Sequence, residues 1–96
     1  MSSPGAHGES LDMEHAMFRL VNAELDAAQI FLRDAFLHRD SDPALVYYNR
    51  HHARCSYETI VRYLPRLKLA ETQQQNWEMK VVAIHRELQE LGEVFE

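Results

Sequence analysis

The chain has 96 residues, of which 46% are hydrophobic and 26% are charged. This length fits one domain with a modest core and leaves no room for a large catalytic cavity between two lobes. A formal charge of −5 is too acidic for a general nucleic-acid or membrane-surface binder. We therefore expect a non-enzymatic domain without a small-molecule substrate.

The charge is distributed unevenly along the chain. Residues 1–49 carry −5, residues 50–68 carry +4 and residues 69–96 carry −4. Cys55 is the single cysteine, so no disulfide forms within the chain. The first residues lack the basic start and apolar run of a signal peptide, and no stretch approaches the roughly 18 apolar residues of a membrane helix. These features predict a cytoplasmic protein without membrane association.

The first helix carries two apolar stripes. Residues 1–9 are small and polar and predict a flexible tail, ahead of a single helical-bundle domain over residues 10–96. Ser10 is a good N-cap and predicts a helix over about residues 10–38. The main stripe repeats every three or four residues: Phe18, Val21, Leu25, Ala28, Leu32 and Ala35. The second stripe lies beside it: Met13, Met17, Leu20, Ala27 and Phe31. So wide an apolar face predicts contact with two partners.

The second helix has a thin apolar face and a basic opposite side. Asp42 as N-cap and Pro43 in the first turn predict a helix over about residues 43–64. The predicted core face comprises Val46, Asn49, Ala53, Ser56, Tyr57, Ile60, Val61 and Leu64. Well away from its centre lie four arginines, here called the Arg ridge, with Glu58 among them: Arg50, Arg54, Arg62 and Arg66.

The third helix has the most regular pattern. Pro65 ends the second helix, and a connection leads to a helix predicted over about residues 70–94. Its stripe follows alternating spacings of four and three: Ala70, Gln74, Trp77, Val81, Ile84, Leu88, Leu91 and Phe95. Three helices without strand patterns predict an all-α antiparallel three-helix bundle, or a long helical hairpin with a third helix along it. Self-association is expected to complete the core.

The sequence does not assemble a catalytic or metal centre. His51, His52 and Cys55 share neighbouring helical positions, but a tight metal site needs a fourth ligand. An active cysteine also needs backbone donors from a loop or a helix N-terminus, and Cys55 lies inside a predicted helix. We therefore expect no catalytic residue, no metal and no cofactor, and keep a metal- or redox-responsive bundle as an alternative.

The Arg ridge allows two interpretations. The four arginines suit phosphates along a nucleic acid, with Tyr47 and Tyr63 as stacking platforms. They also suit ion pairs with the many acids of the flanking helices, and Glu58 of the same helix lies four residues from both Arg54 and Arg62. We favour the ion pairs, either within one chain or between subunits, and do not expect nucleic acid as a partner.

A short stretch resembles two helical families. The hairpin across Asp42 to Ala44, followed by Tyr48 and Pro65, resembles one tetratricopeptide unit or the microtubule-interacting-and-trafficking domain. Leu32 and His51 stand where small residues are expected, so no binding residue is assigned from this resemblance.

The sequence as a whole predicts a small helical interaction module. It would act as an adaptor or regulator, as a homo-oligomer, such as a homodimer, or bound to another helical protein. The interaction candidates are Met13, Met17, Leu20, Phe31 and the four arginines of the Arg ridge.

Overall fold

The computed structural model describes the backbone of residues 4–96 and the side chains of residues 12–96. Its three helices are α1 (Pro4–Leu37), α2 (Pro43–Tyr63) and α3 (Glu71–Glu90). Helix α2 runs antiparallel to α1, and α3 runs antiparallel to α2, so the predicted all-α three-helix bundle is confirmed. Because α1 is much longer than the other two helices, the molecule measures 63 × 25 × 23 Å.

The first helix begins earlier than its sequence predicts. The expected start is Ser10, but α1 begins at Pro4, inside the stretch predicted as a tail. Proline suits the first helical turn because that turn leaves its N–H groups without intrahelical partners. Residues 1–3 of the predicted tail lie outside the described residues.

The α1–α2 hairpin is closed by the predicted turn. The backbone turns over residues 38–41, and Asp42 then caps α2 by accepting a hydrogen bond from the Leu45 amide at 3.1 Å. Pro43 occupies the first turn of the helix. At the other end, Pro65 lies in a single 3-10 turn, Leu64–Arg66, which ends α2 close to the predicted residue.

The core lies between the three helices. Its buried hydrophobic residues are Val21, Leu25, Ala28, Leu32, Ala35, Ala53, Ile60, Leu64, Trp77, Ile84, Leu88 and Leu91. Alanines on the facing sides of α1 and α2 let the two backbones approach closely. Most of the predicted seams of α1 and α3 are thereby confirmed, whereas Ala70, predicted at the start of the α3 seam, is exposed and precedes the helix. Val61, predicted on the core face of α2, is 41% exposed because it lies about 100° around the helix from the buried Ile60.

Helix α3 ends sooner than predicted. The predicted end is residue 94, but the helix ends at Glu90, and Gly92 adopts a φ of 102°. The Gly92 amide donates to the Gln89 carbonyl at 3.0 Å, and the Glu93 amide donates to the Leu88 carbonyl at 2.9 Å. These two bonds form a Schellman cap, which requires the left-handed conformation that glycine adopts most readily. Phe95, predicted on the α3 seam, therefore lies beyond the helix.

Candidate functional site

Helix α3 covers one side of the α1–α2 hairpin. At one end of the bundle, Phe18 of α1 packs against Trp77 of α3 with ring centroids 5.0 Å apart. Further along, Leu32 and Phe36 line a hollow together with Ala83 of α3. These contacts place α3 on the side of α1 that carries its main stripe.

The opposite side of the hairpin is here called the rear face. It comprises Met13, Met17, Leu20, Ala27 and Phe31 of α1, with Leu45, Tyr48, His52, Thr59 and Tyr63 of α2 at matching helical spacing. Within the described residues, no third helix packs on it. Met13 is 67% exposed and Leu20 is 39% exposed, while Met17, Ala27 and Phe31 are half-buried. All the predicted apolar interaction candidates therefore lie on this one face.

Three rings meet on the rear face at its end near the hairpin turn. His52 of α2 stacks on Phe31 of α1 with centroids 5.2 Å apart, and Tyr48 lies 4.3 Å from His52. Tyr48 remains 55% exposed, whereas His52 is half-buried. The cluster joins the two helices, and Tyr48 is the most exposed of its three rings.

A polar cluster borders the same face. The buried Asn49 amide donates to the Asp34 carboxylate at 2.8 Å. The other carboxylate oxygen of Asp34 lies 3.3 Å from Nδ1 of His38. Because a buried polar group is costly without its partner, this bond favours one alignment of α1 against α2.

Two arginines of the Arg ridge are held by the end of the chain. Nε of Arg50 lies 2.8 Å from the Glu93 carboxylate, and Nη1 of Arg54 lies 3.3 Å from its other oxygen. Arg54 also pairs with Glu58 at 3.0 Å. The partners are thus Glu93, which falls within the predicted third helix but lies beyond the end of α3, and Glu58 of α2, the neighbour already expected for Arg54.

The other two arginines of the Arg ridge are exposed. Arg62 and Arg66 form no ion pair within residues 12–96. The Arg66 guanidinium lies 5.6 Å from the centroid of the Tyr63 ring. The ridge is therefore divided into an engaged half beside α3 and a solvated half beside the connection.

His51 and Cys55 lie on the outward side of α2. Both are exposed, and the Cys55 sulfur lies 3.8 Å from Nε2 of His51. His52 points instead to the rear face, where it meets Phe31. Across residues 12–96, no group of three or more His, Cys, Asp or Glu side chains is arranged to hold a metal ion. The His51 and His52 rings still meet edge-on with centroids 5.6 Å apart, so His52 touches one of the other two candidate ligands while packing on the rear face.

Helix α3 has an exposed apolar strip on its outer side. Met79 is 72% exposed and Val82 is 64% exposed, and both line a shallow hollow with Gln75, Glu78 and Arg86. The sequence did not single out this strip, because Met79 and Val82 fall outside the heptad stripe of α3.

The described part of the chain contains no helix that is both apolar enough and long enough to cross a membrane.

The sequence pattern also did not predict how the C-terminal residues pack against α2 and α3. Phe95 lies 4.0 Å from the His85 ring and 5.1 Å from the Tyr57 ring, and the Arg54 guanidinium lies 4.0 Å from its centroid. The signal for this arrangement is Gly92, which permits the turn that returns the chain toward α2.

A comparison of the chain with known protein families, curated proteins and solved structures finds no match.

Proposed function

We propose that the protein is a non-enzymatic helical interaction module that self-associates through its rear face. The observation that carries this proposal is the position of α3. It covers one side of the hairpin and leaves the second apolar stripe of α1 in contact with solvent. Contiguous apolar surfaces that remain exposed to solvent commonly serve as interfaces.

A second copy of the chain is a suitable occupant of the rear face. Two α1–α2 hairpins packed face to face would form a four-helix arrangement, which is a common solution for long amphipathic helices. Each copy would bring Met17, Leu20 and Phe31 against the same residues or their neighbours on α2. A two-fold interface is self-complementary in this way.

The polar groups on the rear face are also compatible with a second copy. Glu24 lies between Met17 and Phe31 at heptad spacing and is half-buried. Donors on α2 of the second copy, His52 and Tyr63, would be available to its carboxylate. Such a pairing would favour one orientation of the two copies over the others.

Nucleic-acid binding receives less support. Arg50 and Arg54 already contact Glu93, so only Arg62 and Arg66 of the Arg ridge remain for phosphates. Two phosphate contacts release few counterions and give weak binding at physiological salt. The metal- or redox-responsive alternative rests on His51 and Cys55, which supply two ligands per chain.

Sedimentation of the full chain tests the proposal. The wild-type chain at micromolar concentration is expected to sediment at twice the 11.2 kDa mass of one chain. Leu20→Glu places a charge on the rear face at a position that is 39% exposed, so the chain tolerates it and becomes monomeric. Val82→Glu is the matched control, because Val82 is 64% exposed on the outer side of α3.

Two results would contradict the proposal. One is a wild-type chain that stays monomeric across the accessible concentrations. The other is a Val82→Glu variant that dissociates as readily as Leu20→Glu, which would place the interface on α3.

A further inference from the structure

The C-terminal segment, residues 91–96, is held across α2 by side chains. Nη1 of Arg50 donates to the Leu91 carbonyl at 2.8 Å, and Nη1 of Arg54 donates to the Val94 carbonyl at 3.1 Å. Both arginines also reach the Glu93 carboxylate, whose side chain is only 18% exposed. Two adjacent arginines thus bind both the backbone and the carboxylate of one short peptide stretch.

An aromatic slot lies beside these arginines. The Phe95 ring has the Arg54 guanidinium at 4.0 Å and the His85 ring at 4.0 Å. Tyr57 meets the same ring edge-on at 5.1 Å. Cation–π and edge-to-face contacts of this kind select an aromatic side chain.

The segment is attached in a way that permits its release. Beyond the Glu93 amide, no backbone hydrogen bond holds residues 94–96 in the described structure. The groups that bind the segment belong to other elements: Arg50, Arg54 and Tyr57 to α2, and His85 to α3. Departure of residues 94–96 and of the Glu93 side chain would therefore leave both helices, the cap of α3 and the binding groups in place.

We propose that this slot, formed by Arg50, Arg54, Tyr57 and His85, is a recognition site for an acidic–aromatic peptide segment of a partner protein. The ligand carries a Glu two residues before a Phe. Residues 93–95 of the chain have this pattern and occupy the slot intramolecularly. Charge complementarity supports this ligand, because departure of Glu93 leaves two guanidinium groups one helical turn apart. The slot lies on the α3 side of the hairpin and is independent of the rear face.

Residues 93–95 compete with a partner peptide for the slot and so lower the apparent affinity of the protein for that peptide. A segment tethered to the same chain acts at an effective concentration on the order of millimolar. A partner peptide therefore binds only when it outcompetes the segment or when the segment has been released. The segment acts as a built-in competitor of the partner.

A labelled peptide with the sequence of residues 91–96 is the probe, titrated into the 96-residue chain and followed by fluorescence anisotropy. The double variant Glu93→Ala/Phe95→Ala removes both anchors of the segment and opens the slot. We expect it to bind the peptide at least about tenfold more tightly than the wild-type chain does. Adding Arg54→Ala to the double variant should weaken binding by about tenfold or more, whereas Arg62→Ala should change it less than about twofold.

Several outcomes would overturn the proposal. These are equal binding by the wild-type chain and the double variant, no binding by a double variant that keeps its helical circular dichroism, and equal effects of Arg54→Ala and Arg62→Ala. If the double variant unfolds, Phe95→Ala alone is tested, since it keeps the Glu93 ion pairs. Unfolding of that variant would show that the segment cannot leave and would also reject the site. The oligomeric state is recorded in each sample, so failure here is separable from failure of the rear-face interface.

Discussion

The two sides of the α1–α2 hairpin are built from similar apolar spacing but are covered differently. The front side meets Trp77, Ile84 and Leu88 of α3, and all three are buried. The rear face keeps Met13 and Leu20 exposed. Apolar periodicity therefore identifies the helix faces that can be buried. The number of such faces that are buried within one chain depends on how many helices the chain has to cover them.

The largest expected effect tests the front side. Ile84 is 1% exposed, so Ile84→Ala should lower the free energy of unfolding by about 2–5 kcal/mol, through lost burial and a new cavity. Val82→Ala, on the exposed side of the same helix, should change it by less than about 0.5 kcal/mol. Urea unfolding of both variants provides the comparison. Similar losses for the two would mean that the α3 seam is misassigned.

An intermediate effect is expected at the border of the rear face. Asp34→Ala leaves the buried Asn49 amide without its acceptor and should cost about 1–3 kcal/mol. Asp26→Ala is the control, since Asp26 is exposed on α1 and forms no ion pair within residues 12–96. Thermal unfolding at neutral pH distinguishes them. An unchanged stability of Asp34→Ala would show that the Asn49 contact does not hold the hairpin.

The smallest effect is expected at the rim of the front side. Glu93→Gln removes the charge that Arg50 and Arg54 share, and partly exposed ion pairs contribute up to about 1 kcal/mol each. We therefore expect a loss of about 1 kcal/mol that shrinks at high salt, measured by urea unfolding. If the loss of unfolding free energy did not depend on salt, Glu93 would stabilise the protein through packing of the segment and not through its charge.

Much of the fold was accessible from the sequence because burial imposes a period on each helix. The spacing of Val21, Leu25 and Ala28 predicted the seam of α1, and Asp42 with Pro43 predicted the start of α2. Less could be said of the C-terminal segment, since the long α3 pattern ran through Gly92 to Phe95. A single glycine in the left-handed conformation outweighed that pattern.

The contacts of the candidate sites depend on alignment between elements, which local patterns do not specify. Asn49 was placed on the core face of α2, but its partner Asp34 follows only from the way the turn aligns the two helices. Arg50 and Arg54 were expected to meet acids, yet the Glu93 contact requires the chain to turn back after α3. The α1 residues of the rear face belong to a single helix, so their spacing alone could place them on one side of it.

Methyl NMR of the methionines tests the rear-face interface most directly. Met13 and Met17 lie on the rear face, whereas Met79 is 72% exposed on the outer side of α3. With a soluble paramagnetic agent, the Met13 and Met17 methyl signals should become more protected as protein concentration rises, while the Met79 signal stays accessible. Protection of Met79 with continued exposure of Met13 and Met17 would contradict self-association through the rear face.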